Sequence, residues 1–255
     1  MPRGGSCLDD AGAFSPCLVV PVYEHHAALA GVLPRLRALG LPILMVDDGS
    51  SSECAAALDG LAAQAGPLAR LRHRPSNGGK GAAVKDGLRW AAELGFSHAL
   101  QVDADGQHDL GRLPALLDEA RAHPLAVVCA SPRFDAGAPA SRRRGRQLTN
   151  FWIAVNTLSR AIPDGLCGLR AYPLAATVPL LGRCGDRMDF DPEVLVRLHW
   201  KGLELRFLPV GVSYPADGIS GFRLGLDNAL ISWMHARLFF GMLLRSPRLL
   251  ARRRK

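Results

Sequence analysis

The sequence predicts an α/β fold in which a mostly parallel sheet is covered by helices on both faces. Short apolar segments typical of strands alternate with segments whose apolar residues recur at helical spacing, and polar or glycine-rich groups follow several strands directly. Sheets of this kind bind ligands outside the carboxyl ends of their strands. The 255 residues suffice for one large domain, and a composition with 48% hydrophobic residues excludes wholesale disorder.

The first half of the chain supplies four strand–helix pairs in regular order. The strands are predicted from short runs rich in apolar residues, and the helices from leucine, valine or alanine at intervals of three and four residues. Pro34 is expected to kink the first helix or to mark its start. The predicted strands are Leu18–Val22, Ile43–Val46, Leu68–Arg72 and Ala99–Val102, and the predicted helices lie near residues 29–39, 53–65, 81–94 and 110–117.

The second half of the chain is less regular. Leu125–Ala130 is a fifth apolar strand, and residues 133–147 are predicted to form a basic loop. Helices near residues 151–158 and 192–200 precede a strand at Leu203–Leu208. Residues 1–16 are small and polar without periodicity, so the predicted organisation is a disordered N-terminus, one domain over residues 17–222 and a C-terminal segment over 223–255.

The formal net charge of +8 is compatible with nucleic acid, an anionic membrane surface or phosphorylated substrates as partners. The arginine clusters at residues 142–146 and 252–255 contain no interleaved aromatic residues, so no nucleic-acid partner is predicted. The six cysteines lack zinc-type spacing, and neither a signal peptide nor a run of 18 apolar residues is found. The expected location is the cytoplasm.

Asp103 and Asp105 follow the predicted strand Ala99–Val102. Alternate residues at a strand end point the same way, so the two carboxylates can converge on one point. Carboxylates held this close repel each other, and a bound Mg²⁺ or Mn²⁺ removes that penalty. Standing alone, such a motif is more typical of a surface turn rich in Asp and Gly.

Three further groups follow predicted strands and suit a nucleoside diphosphate. Pro21–Glu24 offers an aromatic ring for a base, and Asp47–Ser50 offers a carboxylate for a base N–H. Asn77–Gly81 opens a helix, where glycines permit close approach, Lys80 adds a charge and the helix N-terminus favours phosphate. The spacing is neither that of a Walker loop nor Gly-x-Gly-x-x-Gly, which argues against a dinucleotide oxidoreductase.

Together these motifs closely resemble those of the family 2 glycosyltransferases, which have the GT-A fold, and in particular the dolichyl-phosphate mannose synthase-like branch. The resemblance implies a Rossmann-like, mostly parallel sheet and a metal-dependent, inverting transfer of a sugar from a nucleotide-sugar. It covers about residues 17–214, and the matching segments are Val20–Tyr23, Val46–Ser50, Asn77–Val84, Asp103–Gln107 and Cys167–Arg170.

The resemblance also implies roles for individual residues. Asp105, as a catalytic residue, and Gln107 would reach the metal, Mg²⁺ or Mn²⁺. Family members usually carry Asn-Glu after the tyrosine, where this chain has Glu24-His25. The residues assigned to nucleotide binding are Pro21, Tyr23, Glu24, Asp48, Lys80 and Asp103.

The nature of the acceptor decides which other residues matter, and alternatives stay open. A soluble hydroxyl acceptor needs a general base, for which Asp191 and Glu193 are candidates, although both could instead cap the helix beginning at Pro192. A polyprenyl-phosphate-like acceptor, the favoured interpretation, needs cations rather than a base. A non-catalytic nucleotide-binding protein on the same fold is a further alternative. The candidate cations are Arg170, as a catalytic residue, and Arg133, Arg142 and Arg223, as ligands of the acceptor phosphate.

Leu224–Leu244 is predicted to form an amphipathic helix with a narrow polar stripe of Asn228, Ser232 and His235. Asp227 and Arg237 argue against a membrane span. With the basic end that follows, the segment suits a helix in a membrane interface beside anionic lipid, and the alternative is a helix packed on the domain. The expected location is therefore peripheral, on the inner face of the cytoplasmic membrane.

Overall fold

A computed structural model describes residues 14–134, 140–212 and 222–252. The strands are β1 (Pro16–Val22), β2 (Ile43–Asp47), β3 (Ala69–His73), β4 (His98–Gln101), β5 (Val127–Phe134), β6 (Arg170–Pro173) and β7 (Leu205–Val212). The helices are α1 (His26–Arg37), α2 (Ser52–Ala65), α3 (Lys80–Glu93), α4 (Leu113–Ala122), α5 (Ala140–Thr157), α6 (Leu174–Thr177), α7 (Phe190–Lys201) and α8 (Leu224–Arg252).

The strands form one seven-stranded sheet in the order β3-β2-β1-β4-β6-β5-β7. Every pair is parallel except the two that β6 makes, with β4 and β5. The chain moves outward from β1 to β3 and then returns to place β4 on the other side of β1. The strand order thus reverses between β1 and β4, which is where open α/β sheets bind ligands.

Helices cover both faces of the sheet, as the sequence predicts. Successive side chains of β1 point to opposite faces. Val19 packs into a core shared with α3, α7 and α8, which includes Met234, whereas Val20 packs into a second core with α1, α2 and α4, which includes Leu33. This sandwich holds the carboxyl ends of β1, β2 and β4 at one edge.

Three details differ from the sequence-based expectation. Residues 14–16 are ordered rather than disordered: Phe14 lies 4.7 Å from the His98 ring, between ring centroids, and Pro16 begins β1. The expected basic loop at 133–147 is divided between β5, which pairs with β7 up to Phe134, and α5, which begins at Ala140. Strand β6 was not predicted. Residues 1–13 of the expected disordered segment lie outside the described residues.

Helix α8 confirms the amphipathic helix and extends it to Arg252. One face packs against α5 and α7 through buried residues that include Met234, Leu238 and Met242. Trp233, Phe240 and Leu244 nevertheless remain 64%, 67% and 85% exposed. Among the described helices, none combines the length and the apolar character needed to cross a membrane.

Candidate active site

A cavity of about 510 Å³ opens at the edge of the sheet where the strand order reverses. Parallel strands end at this edge, so the polar groups that follow β1, β2 and β4 meet there although they are far apart in sequence. The predicted nucleotide and metal residues all line it, namely Pro21, Tyr23, Glu24, Asp48, Lys80, Asp103, Asp105 and Gln107.

Asp48 organises the glycine-rich turn. Its carboxylate accepts hydrogen bonds from Asn77 Nδ2 at 3.1 Å and from the backbone N–H groups of Gly78 and Gly79 at 3.0 and 2.7 Å, and it is paired with Arg74. A carboxylate has about four lone-pair positions, so these donors occupy it. The structure therefore makes Asp48 a positioning residue, and the direct bond to a base N–H expected from the sequence is not supported.

Lys80 connects a carboxylate that lines the cavity to a buried one behind it. Its Nζ lies 2.9 Å from Asp103 Oδ1 and 3.1 Å from Asp191 Oδ2. Burial lowers the pKa of Lys80, but the two carboxylates outweigh that effect and raise the pKa above its ordinary value, so the ammonium stays charged. A Cβ at Gly168 would lie 2.6 Å from Lys80 Nζ, which explains the glycine in the Cys167–Arg170 motif.

Asp105 and Gln107 offer oxygen ligands of the kind that Mg²⁺ and Mn²⁺ prefer. Both line the cavity, and Asp105 Oδ1 accepts a hydrogen bond from the Gln107 backbone N–H at 3.0 Å, whereas no described residue donates to Oδ2. The Asp103 carboxylate also lines the cavity, but it is paired with Lys80. Within the described residues no group of three His, Cys, Asp or Glu side chains could hold a metal unaided. The site fits a cation that takes its remaining ligands from substrate phosphates and water.

Glu24 lies at the mouth of the cavity in a left-handed backbone conformation with φ of 54°. Its carboxylate accepts hydrogen bonds from the Ser51 N–H at 2.6 Å and the Ser51 hydroxyl at 3.0 Å. It therefore fixes the start of α2 beside the cavity. Tyr23, next to it, is 38% exposed, with its ring available to a flat ligand.

Three of the four predicted catalytic residues, Arg170, Asp191 and Glu193, are not among the residues that line the cavity. Arg170 has no exposed surface, and its terminal nitrogens donate to the carbonyl oxygens of Gly165 and Asp191 at 2.8 and 2.6 Å. Glu193 is equally buried and pairs with Arg197 and Arg237. Neither side chain can touch a ligand in this arrangement. Both assignments are corrected to structural roles, since the sequence does not show which charged groups the fold encloses.

The candidate acceptor cations are dispersed. Arg223 lines the cavity, whereas Arg133 is exposed on β5 and is not among the residues that line it. Arg142 belongs to α5, but its side chain lies outside the described part of the structure. Asp191 is buried beneath Lys80 and is likewise not a lining residue.

Two residues at this edge were not predicted from the sequence. Arg187 lines the cavity and stands beside Met188-Asp189, a position that its closeness to the Met-Asp-Phe-Asp-Pro-Glu segment could have indicated. His108 Nε2 lies 3.4 Å from Cys167 Sγ. Burial lowers the pKa of His108, but the contact with Cys167 and the nearby carboxylates outweigh it and raise the pKa to about 9.

A second, apolar groove of about 1010 Å³ lies between α5 and α8. Trp152, Ile231, Phe239 and Phe240 contribute to its walls. His235, also on its lining, is buried, and desolvation lowers its pKa to about 4, so it is neutral at physiological pH. Arg146 also lines the groove, but the other lining side chains are uncharged, so the groove suits a mainly apolar group.

Known proteins are similar to this chain in sequence. The sequence profile of the family described as Glycosyl transferase family 2 matches residues 17–174, more than half of the chain. Undecaprenyl-phosphate mannosyltransferase of Micrococcus luteus is 32% identical over 161 residues, covering 60% of this chain and 64% of the relative. Polyprenol monophosphomannose synthase of Mycolicibacterium smegmatis is 32% identical over 162 residues, covering 61% of this chain and 60% of the relative. The chain thus spans less than two thirds of either relative.

Solved structures agree on the fold. Glucosyl-3-phosphoglycerate synthase from Mycobacterium tuberculosis, crystallised with Mn²⁺, uridine diphosphate and glucosyl-3-phosphoglycerate, superimposes with a TM-score of 0.64 over 91% of this chain and 80% of that chain, at 16% identity. The likeness confirms the predicted GT-A architecture. With the profile match and the strand-end motifs gathered at one edge of the sheet, it follows that the chain belongs to glycosyl transferase family 2.

Proposed function

We propose that the protein transfers a sugar from a nucleotide-sugar to a polyprenyl-phosphate-like acceptor in a metal-dependent, inverting reaction. The observation that carries this proposal is the junction of the two cavities. Phe222 and Leu224 line the apolar groove, while Arg223 between them lines the polar cavity. A lipid phosphate with its chain in the groove would thus present its head group to the donor.

Different residues of the polar cavity would bind the base, the phosphates and the metal of the donor complex. Tyr23 offers its ring to the base, and the turn held by Asp48 brings the N-terminus of α3 towards the phosphates. Asp105 and Gln107 would hold Mg²⁺ or Mn²⁺. When bound, that cation supplies positive charge to the leaving diphosphate. Lys80 keeps Asp103 ionised and in place.

The chemistry is a single displacement. An acceptor phosphate oxygen forms a bond to the anomeric carbon while the bond from that carbon to the donor diphosphate breaks, and the nucleoside diphosphate leaves. A phosphate with a second pKa of about 6 is already largely anionic at neutral pH, so no general base is required. The burial of Asp191 and Glu193, the candidate bases, favours this acceptor over a hydroxyl.

The relatives support the acceptor class. The names of the Micrococcus luteus and Mycolicibacterium smegmatis proteins specify undecaprenyl phosphate and polyprenol monophosphomannose, respectively. The Mycobacterium tuberculosis structure contains Mn²⁺ and uridine diphosphate, which agrees with a divalent cation at Asp105.

A transfer assay tests the function. We expect radiolabelled UDP-sugar or GDP-sugar to yield organic-phase label only when Mn²⁺ and undecaprenyl phosphate are both present, with release of nucleoside diphosphate. Equal transfer to undecaprenol would favour a hydroxyl acceptor. Absence of transfer and of donor hydrolysis by folded protein, across a panel of sugars, would favour the non-catalytic alternative.

We further propose that α8 rests on an anionic membrane surface. Trp233, Phe240 and Leu244 follow at intervals of seven and four residues, so they form one stripe, opposite the face that packs on the domain. Arginines near the end of the helix add attraction to anionic lipid. The buried face explains how the helix can both pack on the domain and meet a membrane.

Serine at all three positions of this stripe is expected to weaken binding to anionic vesicles by roughly 10- to 100-fold, because each side chain loses burial in lipid. Vesicle sedimentation measures the affinity, and circular dichroism checks the fold. Leu125→Ser is a matched control, since Leu125 is 84% exposed but lies elsewhere. Unchanged sedimentation of the triple variant would refute the proposed contact.

A further inference from the structure

The polar cavity carries an excess of negative charge, although its proposed ligand is itself anionic. Four carboxylates line it, those of Glu24, Asp48, Asp103 and Asp105, and of these Asp48 is already paired with Arg74. The ammonium of Lys80 is already paired with Asp103 and Asp191. A diphosphate therefore needs further positive charge, beyond a single divalent cation, to enter this site. Arg187 and Arg223 are the arginines among its lining residues.

Arg187 is held against the phosphate-facing turn. A Cβ at Gly79, where φ is +103°, would lie 2.7 Å from Arg187 Cγ, so the arginine stem rests directly on the glycine backbone. The preceding carbonyl, of Asp186, accepts a hydrogen bond from the Ala82 N–H at 2.8 Å. The segment that carries Arg187 is thus fixed to the first turn of α3, the helix end that favours phosphate.

The guanidinium is oriented from one side only. Arg187 Nε donates to Asp227 Oδ1 at 2.9 Å, and Asp227 is fully buried in the first turn of α8. Asp227 Oδ2 accepts a hydrogen bond from the Arg223 N–H at 2.6 Å. No described residue accepts a hydrogen bond from the two terminal nitrogens of Arg187, which together carry four of its five N–H donors.

We infer that Arg187 binds the diphosphate of the donor and that Asp227 is the residue that positions it. The inference rests on the proposed function, because it assigns the ligand of the same cavity. A fork of free N–H groups at the rim of a phosphate site matches the geometry of a phosphate oxygen pair. Because Asp227 belongs to α8, the contact between Asp227 and Arg187 makes the position of that helix relevant to donor binding.

Calorimetric titration of UDP and GDP in the presence of Mn²⁺ tests the assignment. Arg187→Ala is expected to weaken binding of the preferred nucleotide by roughly 10- to 100-fold, because hydrogen bonds between charged groups are lost. Arg187→Lys should recover part of that loss. Loss for the matching nucleoside monophosphate should be smaller, since the contact is with the diphosphate.

Asp227→Asn keeps the shape of the side chain but removes its charge, and we expect a smaller loss, which disappears in the Arg187→Ala background. A merely structural role for Asp227 would instead lower the melting temperature and leave nucleotide affinity unchanged. Arg206→Ala is the control, because Arg206 is also an ion-paired surface arginine but lies on β7.

The outcomes separate the two claims. Binding by the wild type that is unchanged in Arg187→Ala overturns this inference and leaves the proposed function standing. An equal loss for monophosphate and diphosphate also overturns it. Failure of folded wild-type protein to bind UDP or GDP overturns the proposed function and this inference together.

Discussion

Alanine at Asp105 is expected to lower the rate of sugar transfer by about 10²- to 10³-fold, the size of effect seen when one preorganised charge-stabilising group is removed from an active site. The carboxylate lines the cavity, and no residue in the described part of the chain donates to its Oδ2. Its loss should also abolish the Mn²⁺ dependence of donor binding. Calorimetry with UDP-sugars and GDP-sugars, with and without Mn²⁺, measures this directly.

The chain provides a closely matched control for that variant. Asp109 Oδ1 accepts a hydrogen bond from the N–H two residues further on, that of Gly111, at 3.0 Å, just as Asp105 does from Gln107. Asp109 is exposed and is not a lining residue of the cavity. Asp109→Ala should therefore retain Mn²⁺-dependent binding. An equal loss in both variants would show that the turn matters rather than the metal ligand.

Much of the site could be predicted because its signals are local. Tyr23, Asp48 and Asp103 each follow a strand directly, and a parallel sheet necessarily brings such positions to one edge. The positive charge of Lys80 in a glycine-rich turn could likewise be predicted from the sequence. The exact partners are not visible, since Asp48 lines the cavity but its carboxylate is bonded to the turn that follows the neighbouring strand.

What the sequence could not predict depends on long-range packing. Strand β6 is four residues long, begins with a buried arginine and is formed only because β4 and β5 flank it. Arg187 enters the site through contact with Asp227, 40 residues away. Neither feature has a periodic pattern, and both require the complete fold.

The packing of helix α8 was also only partly predictable from the sequence. Its apolar content predicted an amphipathic helix, and the alternatives were a membrane interface or the protein core. The structure gives it a buried face that includes Met234 and a separate apolar stripe that includes Trp233. Hydrophobicity alone cannot distinguish one apolar face from two when they flank a narrow polar strip.

The surroundings of Glu193 indicate whether this residue could act as the general base of the reaction. Its Oε1 accepts from Arg197 Nη2 at 2.5 Å, and its Oε2 accepts from Arg237 Nη2 at 3.2 Å and from the Gly185 N–H at 2.9 Å. These contacts connect α7 to α8 and to the segment before Arg187. The carboxylate, fully enclosed, therefore neutralises two arginines rather than facing a substrate.

Glutamine at position 193 is accordingly expected to lower the free energy of unfolding by roughly 2 kcal/mol, because the largely buried Arg197 loses its charged partner while Arg237, 35% exposed, can be solvated. Transfer by the fraction that remains folded should persist. Denaturant unfolding and turnover at low temperature give the two quantities. Glu119→Gln, which removes the partly exposed partner of Arg206, should cost less than about 1 kcal/mol. A stable Glu193→Gln variant without activity would instead indicate that Glu193 is the general base and that the acceptor is a hydroxyl.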